Sequence, residues 1–104
     1  MITPITPAQD ERLNWLIEEC AEVIQEAIKI KRFGFDSFHP DDPAKETNRD
    51  RLHREMTDVM GCFALLVRDG DVEDSLPSEA ARAAQKKLKR ARFQLSEVED
   101  ARSA

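Results

Sequence analysis

A chain of 104 residues with a net charge of −5 has room for one modest hydrophobic core, and it lacks the basic footprint that binding a nucleic-acid backbone requires. Charged residues make up 36% and apolar ones 40%, with no Tyr and only three Gly, a composition that favours helix over sheet or disorder. Residues 1–104 read as a single all-α domain, a bundle of three main helices with room for a fourth short one, completed by oligomerisation because so small a core benefits from a partner subunit.

The N-terminal segment carries neither a basic stretch followed by an apolar one nor any apolar run near the roughly 18 residues of a membrane span, so a cytoplasmic protein without a membrane partner is expected. Cys20 and Cys62 each sit beside apolar residues of an expected helix and read as reduced, buried thiols.

The first helix is expected over 7–32. Thr6 can cap it, Pro7 suits the first helical position, Gln9 completes a capping box, and Phe33-Gly34 supplies the stop, with Gly34 in a left-handed cap. Leu13, Leu16, Ile17, Cys20, Ile24, Ala27 and Ile28 recur at three-and-four spacing and are expected to be the core stripe. Roughly opposite lie Trp15, Glu18, Glu19, Glu22, Glu26 and Lys29. Within that set, positions 15, 19, 22, 26 and 29 have the spacing of a packing seam, which suggests that this side also meets something.

Residues 34–46 form a Pro- and Asp-rich loop of a length that is often functional, which Phe35 and Phe38 are expected to pin to the body. His39 could serve as a ligand or acid/base group. A single loop histidine beside proline is more often a hydrogen-bonding surface residue, and nothing is built on it.

A second helix is expected over 47–68, capped by Thr47 or Asn48 and ended by Asp69-Gly70-Asp71. Leu52, Met56, Val59, Phe63 and Leu66 form its apolar face, widened by Met60 and Val67. Glu55 and Asp58 lie on one border of that face, half sheltered where a neighbouring helix packs.

A third helix is expected over 76–99, opened by Ser75 or Ser78 with Pro77. Ala81, Ala84, Leu88, Ala91, Leu95 and Val98 make a narrow seam suited to close helix approach, and the opposite side carries Lys86, Lys87, Lys89, Arg90 and Arg92. These cations form a solvated face, or one of the lysines reaches a phosphate. A frayed tail is expected over 100–104.

Carboxylates three apart on a helix share a face, so Glu19 with Glu22 and Glu55 with Asp58 each make a two-pronged oxygen site. If the two helices pack side by side, four carboxylates converge and repel unless a cation sits among them. Hard divalent ions, Mg²⁺ with Mn²⁺ as substitute, suit oxygen ligands, whereas no His or Cys has the spacing for Zn²⁺. Such a site suits a polyphosphate. There is no Gly-rich phosphate loop and no GxSxG elbow.

The segment Leu16-Ile17-Glu18-Glu19-Cys20-Ala21-Glu22-Val23-Ile24-Gln25, then Lys31-Arg32-Phe33-Gly34 and Glu55-Met56-Thr57-Asp58-Val59-Met60, resembles the MazG-like, all-α nucleoside triphosphate pyrophosphohydrolase superfamily over about residues 10–68. The shared signature is an EExxE helix followed by an ExxD helix. The resemblance implies that Glu19, Glu22, Glu55 and Asp58 hold Mg²⁺ and that Glu18 orients or deprotonates the attacking water. It implies cleavage of a nucleoside triphosphate between the α- and β-phosphates, to a nucleoside monophosphate and pyrophosphate, by a homodimer or homotetramer. Trp15 is then a candidate base contact, and Lys29, Asn48 and Lys86 are candidate sugar or phosphate contacts. The interval between Glu22 and Glu55 exceeds the family's, the surplus lying in the Asp/Pro loop, which leaves the substrate open. The rival readings are a non-catalytic helical dimerisation or interaction module and an enzyme like phosphoribosyl-ATP pyrophosphohydrolase.

Overall fold

The computed structural model describes residues 1–94 and is all helical: α1 over Pro7–Phe33, α2 over Asn48–Arg68 and α3 over Leu76–Arg90. The chain divides into two compact units, residues 1–71 and 72–104. None of the described helices is long and apolar enough to cross a membrane.

The caps form where the sequence places them. The Thr6 hydroxyl accepts from Gln9 N–H (3.1 Å) while the Gln9 side chain accepts from Thr6 N–H (2.8 Å), the reciprocal pair of a capping box. Thr47 caps α2 by accepting from Asp50 N–H at 3.1 Å. After α2, Gly70 takes φ +77°, its N–H donates to Val67 O (3.1 Å), and Asp71 N–H donates to Leu66 O (2.9 Å). That pair of bonds is a Schellman motif, which turns the chain so that Asp71 meets the start of α1.

Gly34 departs from the expected left-handed cap. Its φ is +92° as anticipated, but its ψ of 165° lies in a region open essentially to glycine alone. This conformation folds the loop back sharply. The loop is then held by backbone bonds rather than by buried rings: Asn48 N–H donates to Ser37 O (2.9 Å) and Arg49 N–H to Phe35 O (2.8 Å), and Phe38 bridges Thr47. Phe35 and Phe38 both remain exposed, so the expected aromatic anchoring is not what fixes this loop. The Asp42 carboxylate accepts from Ala44 N–H (2.9 Å) and Glu46 N–H (3.0 Å), and these bonds hold its pKa below the ordinary range.

Two end contacts fix α1 and α2 as an antiparallel hairpin. At one end Arg12 Nε donates to Asp71 Oδ2 at 2.6 Å, and the guanidinium also lies 3.3 Å from Asp69. At the other, the buried Asn48 donates from Nδ2 to Gly34 O at 3.1 Å.

Between these ends the packed positions are Gln9, Arg12, Leu16, Glu19, Val23, Glu26 and Ile30 on α1, against Asn48, Leu52, Glu55, Val59, Cys62 and Leu66 on α2. Both rows step alternately by three and four, the pattern of a coiled-coil seam. On α1 this row lies about 90° around the helix from the stripe expected to be core. Leu13, Ile17, Ile24, Ala27 and Ile28 are exposed instead, with Ile17 at 64% and Ile24 at 59%. On α2 Met56 and Met60 are likewise exposed. Of the row at 15, 19, 22, 26 and 29 only Glu19 and Glu26 pack, Trp15, Glu22 and Lys29 being exposed, so the packed face of α1 lies between that row and the apolar stripe, which is left as a flank. Among the described residues Leu66 is the one apolar side chain that is buried.

In the second unit α3 ends at Arg90, because Ala91 turns extended (φ −68°, ψ 141°), short of the expected 99. Ser75 stands at its N-cap without accepting a capping bond. Ala81, Ala84 and Leu88 are exposed. Leu95, Val98 and the 100–104 tail lie outside the described residues.

No atom lies within 4 Å of where a Gly34 Cβ would stand, so the cost of Gly34→Ala is backbone strain alone. An expected loss of about 1–3 kcal/mol is measurable by urea unfolding.

Candidate metal and phosphate site

Halfway along the seam the hydrophobic pattern is interrupted by acids. Glu19 from α1 and Glu55 and Asp58 from α2 each offer an oxygen, and these oxygens lie within 4.8 Å of one another. Glu22, one turn beyond Glu19, lies close enough to Glu19 and to Glu55 across the seam to raise the pKa of both. Spacing along each helix put the pairs on one face, and the antiparallel hairpin brings the faces together.

The electrostatics follow from that crowding. Glu55 is raised to about 7, first by its hydrogen bond with Glu22, then by burial and by the Glu22 charge, with Arg54 acting in the opposite sense. Glu19 is raised by burial and then by repulsion from Glu22 and Asp58. The neighbouring Cys62 thiol is pushed up by burial and by the Glu19 charge; both cysteines are free. A thiol held in that form is a poor nucleophile, in keeping with a structural role.

Oε2 of Glu19 and Oε2 of Glu55 are buried without a hydrogen-bond partner. Unsatisfied buried carboxylate oxygens are costly, and a hard cation would satisfy both. The donor set is all oxygen, which fits Mg²⁺ or Mn²⁺ better than Zn²⁺.

The remaining candidates are placed around this cluster. Glu18 is exposed beside Glu19, one helical turn from Glu22. Trp15 is exposed, about 6 Å along the α1 axis from Glu19 and toward the end where Arg12 grips Asp71. Lys29 pairs with the buried Glu26 at 3.2 Å, and Asn48 is tied to Gly34, so both stand at the loop end. Lys86 belongs to α3 in the second unit.

The sequence reading did not single out Arg32 or Arg51, which with Lys29, Phe38 and His39 line a cavity beneath the loop. A signal was present: Arg51 stands four residues before Glu55 and therefore on its face. His39 makes a local contact, its Nδ1 accepting from Asp41 N–H at 3.2 Å.

No family model matches this chain, no curated protein matches it, and no solved structure matches its fold.

The raised carboxyls carry a definite sign. A carboxyl whose pKa rises on folding keeps a proton that the unfolded chain releases, so its contribution is complete below 4.5 and is lost as pH rises through about 7. Asp69 and Asp71, held low by Arg68 and Arg12 respectively, act oppositely and lose their contribution as pH falls below the ordinary Asp range. In EDTA the melting temperature is expected to fall between about pH 5 and about pH 8, and Glu55→Gln should flatten that fall and raise stability at the upper end. Differential scanning fluorimetry across that range checks both.

Proposed function

We propose that this protein is a Mg²⁺-dependent nucleotide pyrophosphohydrolase that cleaves a nucleoside triphosphate between its α- and β-phosphates. The observation that carries the reading is the convergence of Glu19, Glu55 and Asp58 from two helices, with Glu22 near Glu19 and Glu55 and with buried carboxylate oxygens left unsatisfied. The EExxE and ExxD motifs that resemble the MazG-like superfamily supply the same four residues, and they name the reaction.

In this reading Glu19, Glu22, Glu55 and Asp58 hold the ion. Bound there, Mg²⁺ or Mn²⁺ supplies charge neutralisation for the phosphate oxygens. Glu18, exposed and one turn before Glu22, accepts the proton of the water that attacks the α-phosphorus. The bond from the α-phosphorus to the bridging oxygen breaks, and pyrophosphate leaves with both electrons of that bond.

The reading includes a second copy of the chain. Ile17, Ile24 and Ile28 on α1 and Met56 and Met60 on α2 leave an apolar flank that a two-helix unit cannot bury. Packing two such flanks together gives a four-helix arrangement with one acidic site per hairpin. A homodimer is the smallest closed assembly of this kind, and a homotetramer is two of them.

The test is a panel of common and modified nucleoside triphosphates with Mg²⁺, read as pyrophosphate release. At least one should be turned over, and Glu22→Gln and Asp58→Asn should each lower kcat/KM by about a hundredfold or more while remaining folded. Mg²⁺ at a hundredfold excess over its Kd should raise the melting temperature by about 10 °C or more. No pyrophosphate from any nucleotide, together with no shift from Mg²⁺ or Mn²⁺, would leave the non-catalytic interaction module as the reading to keep.

For the assembly, sedimentation equilibrium should give a multiple of 11.9 kDa, reverting toward 11.9 kDa in Ile24→Glu. A wild-type monomer at all concentrations sinks this part of the proposal.

A further inference from the structure

The 34–47 loop builds a pocket that the carboxylate chemistry does not use. Its volume is about 570 Å³, within the range of sites for small molecules. Lys29, Arg32 and Phe33 come from the last two turns of α1, Phe38 and His39 from the loop, and Arg51 from the first turn of α2. The chain carries 21 acids, yet among the described residues no carboxylate lines this pocket.

Charge and shape specify the occupant. The Arg32 guanidinium lies 5.0 Å from the centre of the Phe33 ring, and Phe33 and Phe38 keep 59% and 42% of their surface accessible. Flat exposed rings beside guanidinium planes favour a planar aromatic group through stacking. Inorganic phosphate would have no use for the rings, and an uncharged apolar ligand none for three cations.

Position gives the direction. Lys29 is paired with Glu26, one turn beyond Glu22, and Arg51 stands one turn before Glu55. These two cations therefore lie between the aromatic walls and the acid cluster. Arg51 is itself positioned by Glu46 at 3.5 Å and Asp42 at 3.8 Å, both in the loop.

We infer that this loop-built pocket takes the nucleoside monophosphate portion of the substrate, with the base against Phe33 and Phe38 and its phosphate toward Lys29 and Arg51. The base thus enters at the loop end of the groove, opposite Trp15. The orientation rests on the pyrophosphohydrolase reading, whereas binding of a nucleoside monophosphate in the pocket does not require turnover.

The experiment titrates AMP, CMP, GMP and UMP, and separately ribose 5-phosphate, into the full chain in EDTA, followed by amide and indole chemical shifts. At least one nucleotide should move the amides of residues 29–38 and 48–51 without moving the Trp15 indole, and ribose 5-phosphate should bind about tenfold more weakly. Arg32→Gln, at an exposed position, and Phe38→Ala should each weaken the nucleotide by about fivefold or more. The inference is overturned if none of the four binds, if shifts appear at Trp15 and not at the loop, if ribose 5-phosphate binds equally well, or if neither variant changes affinity. Nucleotide binding at the loop without pyrophosphate release by the Mg²⁺-loaded protein overturns the reaction and leaves the pocket assigned. Pyrophosphate release with KM unchanged in both variants does the reverse.

Discussion

Carboxylates packed where a coiled-coil seam would ordinarily hold apolar side chains are the constraint on which the rest of this structure depends. Glu19, Glu26 and Glu55 occupy positions that in a hydrophobic zipper would be Leu or Ile. Glu26 is buried and pairs through Oε1 with Lys29, while Oε2 of Glu19, of Glu26 and of Glu55 finds no partner. Repulsion and burial act together to raise the pKa of Glu19 and of Glu55, the latter to about 7. A two-helix unit with this seam gives up stability in its centre and must recover it elsewhere. The ends recover part of it, through the Arg12 grip on Asp69 and Asp71 and the Asn48 bond to Gly34.

Those end contacts also explain why the apolar stripe of α1 is not its packed face. They set the rotation of each helix about its axis, turning Leu16, Glu19, Val23 and Glu26 inward and leaving Ile17, Ile24 and Ile28 on the flank beside Met56 and Met60. Cys20, Val23, Ile24, Met56, Val59, Met60 and Phe63 line a shallow apolar groove there. The acids thus face each other within one hairpin while the hydrophobic surface of the flank stays exposed.

Along the hairpin the chemistry is ordered by charge. Acids occupy the middle, cations and aromatic rings the loop end, and an Arg–Asp clasp the opposite end. A polyphosphate bearing a planar base has the same order of groups, from phosphates that need a cation to a ring that stacks. The loop between Glu22 and Glu55 builds the pocket at that end.

Much of this was legible in the sequence. Thr6, Pro7 and Gln9, Thr47, and Gly34 and Gly70 mark helix ends by local hydrogen bonding and backbone freedom, which need no tertiary partner. Three-residue spacing alone put Glu19 with Glu22 and Glu55 with Asp58, because helical geometry is local. The sequence also showed that the glutamate side of α1 has the steps of a seam. It could not say which of two competing faces would turn toward α2, since hydrophobic periodicity marks what must be covered but not what covers it. Tertiary structure decided that rotation, the tie between Asn48 and Gly34, and the gathering of Lys29, Arg32, Phe38 and Arg51 around one cavity. Each depends on contacts between residues far apart in the chain, whose geometry no local pattern encodes.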